Sequence, residues 1–205
     1  MNREEKNQQT RRRILDSALA EFSAQGYGAS SINTICGAQG ISKGIIYHYF
    51  ETKDDLYLAC VEECFQLLTA YLKDNLPPHG EGIEAQLTSY FSARLAFFQA
   101  HPAYQRIFCD AVVMPPAHLR AAIQARKAPF DALNISILNR LIKPAVLRRD
   151  ITQAEVVDMF RLYQDFINAK YQMVDARAID INAHEADCHL ALSILLYGVL
   201  ARKEA

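Results

Sequence analysis

Between residues 31 and 50 the hydrophobic positions form two short helical repeats separated by a tight turn. Ile32, Ile35 and Cys36 recur at i, i+3, i+4, which puts them on one buried face of a helix that Ser31 caps. Gly40 can take the left-handed conformation that ends such a helix. Ile41 then fills the gap between the two helices, and Ser42 caps the second. At about 100° per residue, Lys43, Gly44, Tyr47 and His48 share one side of that second helix. Ile45, Ile46, Tyr49 and Phe50 fall on the other, with Ile45 near the boundary.

The same periodicity runs through the rest of the chain. Residues 1 to 9 are polar and read as a frayed end, and Arg11, Arg12 and Arg13 open a helix. Its inner face is Ile14, Leu15, Ala18, Leu19 and Phe22, and it ends at Gly26. A longer helix starts at Lys53 and reaches about Leu76. The stretch from Leu76 to Gly82, with two prolines and two glycines, interrupts the pattern most clearly. His101-Pro102, Pro115-Pro116 and Lys143-Pro144 punctuate the chain beyond Gly82, leaving predicted helices over 82–100, 102–113 and 116–142. Pro129 lies inside the last of these and is expected to kink or split it. Two further helices are predicted over 152–174, opened by a Thr152/Glu155 capping box, and over 183–202.

A helix pair with a four-residue, glycine-containing turn is a helix-turn-helix pattern. Its second helix presents a cation, an uncovered backbone at Gly44, a phenol and an imidazole. These are donors for phosphates and base edges, with no bulk where the backbone comes close, as a helix in a DNA major groove requires. Ile45 is placed to touch a thymine methyl. The run Gly26-Tyr27, Ala29-Ser30-Ser31-Ile32, Ile35-Cys36, Gly40-Ile41-Ser42-Lys43-Gly44 and Tyr47-His48-Tyr49-Phe50, with Lys53 and Leu56, resembles the N-terminal signature of the TetR family of transcriptional regulators. The resemblance spans roughly residues 10 to 57. Cys36 stands where alanine is common, and Gly37 lies inside the first helix of the pair, where it should cost up to about 1 kcal/mol relative to Ala.

Composition narrows the class. A hydrophobic fraction of 51% over 205 residues supports a sizeable core, and low Gly and Pro counts favour long helices. The net charge of −1 divides unevenly, with +2 over residues 1–53 and −3 over the remainder, a basic head on an acidic body. Five cysteines without framework spacing point away from a disulfide scaffold and toward a reducing cytoplasm. Neither a signal-peptide pattern nor an apolar run of spanning length is present, so a soluble cytoplasmic protein with no membrane partner is expected. The arginine run reads as a solvated face that can also graze the phosphate backbone, and Lys53 as a phosphate contact.

The body is rich in aromatics at helical spacing, among them Tyr90, Phe91, Phe97, Phe98, Tyr104, Phe108 and Phe130. Such stripes are ordinarily core. In the TetR family, however, the corresponding helices surround a small-molecule pocket, so the resemblance implies that Phe91, Arg94, Phe98, Tyr104, Phe108, Phe130, Asn134 and Tyr163 are candidate effector contacts. Arg94 has two readings, a surface salt bridge or a partner for an anionic effector. Cys60 and Cys64 lie one helical turn apart, as do His184 and Cys188. Inert burial and a polar helix start are the plain readings, beside redox or metal roles. No catalytic motif and no cofactor or metal site emerges, and an enzyme is not expected.

The last two predicted helices are apolar on more than one face, through Val156, Phe160, Tyr163, Phe166, Ile167, Leu190, Leu192, Ile194, Leu195, Leu196, Val199 and Leu200. They are therefore either internal or paired across a two-fold axis, with Leu192 and Leu196 as positions to test. The resemblance implies the homodimer. The expected protein is all-α. A three-helix, helix-turn-helix DNA-binding domain over residues 1–50 precedes a helical-bundle effector-binding and dimerisation domain over 51–205. The resemblance implies that it regulates transcription, as a repressor that a small-molecule effector releases from double-stranded operator DNA. Ser31 and Asn33 would face the DNA from the supporting helix, beside Ser42, Lys43, Gly44, Ile45, Tyr47, His48 and Lys53.

Overall fold

Capping chemistry sets most of the helix boundaries. The computed structural model describes residues 2–77, 82–142, 147–172 and 180–199. Their helices are α1 (Arg3–Ala29), α2 (Ile32–Gln39), α3 (Lys43–Tyr49), α4 (Lys53–Asn75), α5 (Gly82–Ala100), α6 (Pro102–Val112), α7 (Arg120–Leu141), α8 (Gln153–Gln172) and α9 (Ile181–Val199). A single 3-10 turn, Ala117–Leu119, precedes α7. No strand occurs among the described residues, so the all-α expectation holds.

Two expectations are corrected. Residues 2–9 are not frayed: Asn2 caps α1, its Oδ1 accepting from the Glu5 amide at 2.8 Å while the Glu5 carboxylate accepts from the Asn2 amide at 2.9 Å. Pro129 does not split its helix, because α7 runs through it from Arg120 to Leu141. Pro129 is exposed, so its ring faces solvent and the backbone acceptor it leaves unpaired can be hydrated. Gly26 does break α1, at φ 76°, a conformation that L side chains rarely adopt. The Thr152/Glu155 capping box forms as expected, with the Thr152 amide and hydroxyl both donating to the Glu155 carboxylate. The expectations for Pro78, Lys143-Pro144, Val174 and the end of the last helix at Leu200 to Arg202 lie outside the described residues.

The chain divides into two compact units, Met1–Leu67 with His101–Lys127, and Leu68–Ala100 with Ala128–Ala205. Helices α4 and α7 each supply residues to both. In the first unit α1 packs against α2 and α6, over a core that includes Ile14, Phe22, Ile35, Ile46, Tyr57, Phe65 and Phe108. Phe22 meets Tyr57 edge-on at 5.2 Å between ring centres. Buried Ser17, which hydrophobic periodicity does not pick out, donates its hydroxyl to the Ile35 carbonyl at 2.7 Å and ties α1 to α2. In the second unit α9 packs against both α5 and α8. No helix among the described residues is long and apolar enough to cross a membrane.

Candidate functional site

The turn between α2 and α3 is built as the residues dictate. Ser31 caps α2 by accepting from the Thr34 amide at 3.2 Å, so its hydroxyl is already engaged, whereas Asn33 is exposed. Gly40 takes φ 63°, ψ 31°, and the amides of Gly40 and Ile41 both donate to the Cys36 carbonyl. Ile41 is buried in the corner, and Ser42 accepts from the Ile45 amide. The two faces of α3 then separate. Ile46 and Phe50 are buried, Tyr49 is half-buried, and Lys43, Gly44, Ile45, Tyr47 and His48 are exposed.

Tyr47 is 50% exposed and Ile45 is 44% exposed, although both are large and largely apolar. Burial on folding therefore does not account for either side chain, and each is available to a partner. A Cβ added at Gly44 would meet nothing within 4 Å, so a side chain there is excluded by nothing within the first unit. The same holds at Gly37 in α2.

Two of the expected phosphate contacts have structural partners. The Lys53 ammonium donates to the carbonyls of Tyr27 at 2.9 Å and Ser30 at 3.1 Å, and lies 4.1 Å from the centre of the Tyr27 ring. It thus caps the end of α1, which leaves one N–H for a phosphate. Arg12 is paired with Glu63 and with Asp16. Burial pulls its pKa down, but these two carboxylates more than offset that and hold it above the usual value. Arg11 is exposed and lies 5.4 Å from the Phe50 ring centre.

A second feature lies within the second unit. A narrow cleft between α5, α7, α8 and α9 is lined by Leu87, Tyr90, Phe91, Arg94, Asn134, Ile137, Leu138, Leu141, Phe160, Tyr163, Gln164, Ile167, Cys188, Ala191, Leu192 and Leu195. Its cavity volume is about 50 Å³, room for a few waters or a slender chain. Of the expected effector contacts, Phe91, Arg94, Asn134 and Tyr163 meet here. Phe98 is buried outside the lining, and Phe130 packs against the Arg94 guanidinium with its ring centre 5.6 Å away. Tyr104 and Phe108 belong to the core of the other unit. Helical spacing marks all of them as inward-facing but does not say which core they enter. The expectation missed Leu87, Gln164, Ile137, Leu138 and Leu141, as well as several α9 residues.

Arg94 is neither on the surface nor unpaired. It is 5% exposed, and its guanidinium donates to the buried carboxylate of Glu185 at 2.8 Å. Burial lowers the Arg94 pKa, but Glu185 and Tyr90 outweigh it and keep the group charged. His184, buried beside Glu185, reaches Asn168 Oδ1 with its Nε2 at 3.1 Å. Cys188 Sγ lies 3.8 Å from His184 Nδ1, and burial pushes its thiol up to about 12. Burial also pushes Cys60 up to about 12, so both sulfurs carry their protons. No group of three potential metal ligands occurs among the described residues.

On the outside of α8 and α9, Met159, Leu162 and Phe166 form one apolar row and Leu190, Ile194 and Tyr197 another. Phe166 is 73% exposed. Leu196, by contrast, is fully buried, and Leu192 lines the cleft, so neither is an outward position.

Comparisons with known proteins agree with this arrangement. Residues 14–60 match the family described as bacterial regulatory proteins, tetR family. The chain is 30% identical over 129 residues to the biofilm operon icaADBC HTH-type negative transcriptional regulator IcaR of Staphylococcus epidermidis, covering 63% of this chain and 60% of the relative. It is 46% identical over 50 residues to the HTH-type transcriptional regulator AcrR of Shigella flexneri, covering 24% of this chain and 23% of that one. The chain thus spans less than two thirds of the length of these curated relatives. Among solved structures, the transcriptional regulator FadR from Bacillus subtilis in complex with stearoyl-CoA superposes with a TM-score of 0.67 at 17% identity, covering 91% of this chain and 98% of that one. Residues 14–60 thus match the tetR family of bacterial regulatory proteins by sequence, and the described helices match a solved regulator by fold.

Proposed function

We propose that the protein is a DNA-binding transcriptional regulator, a repressor released from its operator by a small-molecule effector. The observation that carries the reading is the exposed face of α3, where Lys43, Gly44, Ile45, Tyr47 and His48 stand outward on a helix anchored by Ile46 and Phe50. Seven residues span about two turns, enough to read only a few base pairs. Asn33 and Ser31 would support them from α2, and Lys53 and the arginine run would add phosphate contacts. Residues 1–50 serve DNA, and 51–205 serve effector binding and dimerisation.

The cleft supports regulation by a ligand over constitutive binding, since a filled body would have no such space. That relatives include a negative regulator and that a protein of the same fold holds stearoyl-CoA point the same way. The exposed rows on α8 and α9 support a homodimer, because apolar rows of this length are normally covered. Ligand entry would act through α4, whose residues belong to both units. A differential affinity of about 1–3 kcal/mol between the two states would give a graded switch.

Enrichment from a random-sequence duplex pool tests the DNA reading. A two-fold symmetric sequence should emerge, with half-sites about one helical turn or a multiple apart. Failure to enrich any duplex would remove the reading.

A further inference from the structure

The cleft carries a polar group whose orientation is set from behind. The Arg94 guanidinium donates to the Tyr90 hydroxyl oxygen at 3.4 Å, and that hydroxyl donates to Asn134 Oδ1 at 2.6 Å. Burial pushes the Tyr90 phenol up to about 12, so the proton it donates is present throughout the ordinary pH range. With Arg94 supplying the donor at one end, the hydroxyl must point its hydrogen at Asn134. The amide must then turn its oxygen to Tyr90 and its nitrogen away. Asn134 is 5% exposed and lines the cleft, and its Nδ2 has no hydrogen-bond partner. A buried amide N–H₂ left in this state costs free energy that an acceptor placed against it would recover.

The charge balance nearby is also fixed. Arg94 and Glu185 are both buried and are paired at 2.8 Å, so the guanidinium charge is already matched. A carboxylate or phosphate entering the cleft would add an unmatched charge among Leu87, Ile137, Leu138 and Ile167, which is unfavourable. The remaining lining is mostly apolar, with Tyr163, Gln164 and Cys188 as its polar members, and the space is narrow.

We propose that this cleft, on the reading of the body as an effector site, takes a neutral, slender, apolar molecule with one hydrogen-bond acceptor, such as the carbonyl of a ketone, aldehyde or ester. Asn134 Nδ2 is the specificity-determining donor. Arg94 and Tyr90 are positioning residues that act through it.

Calorimetry of the full chain with octan-2-one and with octanoate at pH 8, together with infrared spectra of the bound ketone, tests this. Octan-2-one binds, octanoate at tenfold higher concentration does not, and the bound carbonyl stretch lies below its value in hexane. Asn134→Leu weakens the ketone about fivefold to tenfold and returns the stretch to its hexane position. The wild-type spectrum stands even if that variant does not fold. Absence of ketone binding, octanoate binding at least as tight, or a hexane-like stretch in the wild type each overturns the proposal. Duplex binding by the same preparation separates the two readings. A protein that binds DNA but not octan-2-one loses only the ligand assignment, whereas one that binds octan-2-one but no DNA loses the regulator reading.

Discussion

Lys53 shows how one side chain can be claimed by the fold before a ligand reaches it. Its ammonium satisfies two carbonyls at the end of α1 and sits on the Tyr27 ring, which is itself hydrogen-bonded through its hydroxyl to Asp54. Lys53→Met should therefore lower unfolding stability by about 1–2 kcal/mol. Its effect on the salt dependence of DNA binding should stay below the slope of about 0.9 expected for a full phosphate contact. Urea melts and a salt titration read the two quantities. A fully stable variant with a slope reduced by a whole contact would restore the phosphate role alone. Arg94 makes the same point in the body, because its partner Glu185 lies 91 residues away. Periodicity in α5 shows that Arg94 faces inward, but no local pattern announces the carboxylate that meets it.

At the scale of elements, ends were legible in the sequence where caps are local. Ser31, Gly40, Ser42 and the Thr152/Glu155 box act within a few residues of themselves, and the structure places each as the residues suggest. That α7 continues through Pro129 was not legible, since a helix tolerates a proline when packing on either side holds it, and that packing is non-local. Tyr104 and Phe108 were misplaced for the related reason that helical spacing identifies a buried face but not its core. The pairing of α8 with α9 offers a pH test. Asp187 accepts from Lys170 Nζ and from the Tyr171 hydroxyl, each at 2.6 Å, and these bonds, Lys170 first, hold its carboxyl below the ordinary value of 3.8. A depressed carboxyl stabilises the fold above its unfolded pKa, and that contribution fades as pH falls through the lower folded value. Asp187→Asn should thus be less stable than the wild type at pH 7, with the difference shrinking below about pH 4. A difference that stays constant from pH 7 to pH 3 would remove the carboxylate from the account.

For the whole molecule, the proposed regulator depends on dimerisation to make two short reading helices suffice. One seven-residue helix has little to set against genomic competition, and two heads on one assembly share the cost of docking. Charge at Phe166 or Ile194 is tolerated by a monomer, because both are exposed. Phe166→Glu and Ile194→Glu should therefore keep their helical circular dichroism, sediment as monomers and bind DNA far more weakly. Leu196→Glu, at a fully buried position, should unfold instead. Dimers that persist in both exposed variants would place the interface elsewhere. The claim on which all of this rests is that α3 approaches DNA along the face bared at Gly44. Affinity of Gly44→Leu for a duplex selected by the wild type tests it most directly, since an added side chain meets nothing within 4 Å in the free protein. The expected result is a loss on the order of a hundredfold or more, with melting temperature and helical content unchanged. An unchanged affinity would show that this helix does not enter the groove.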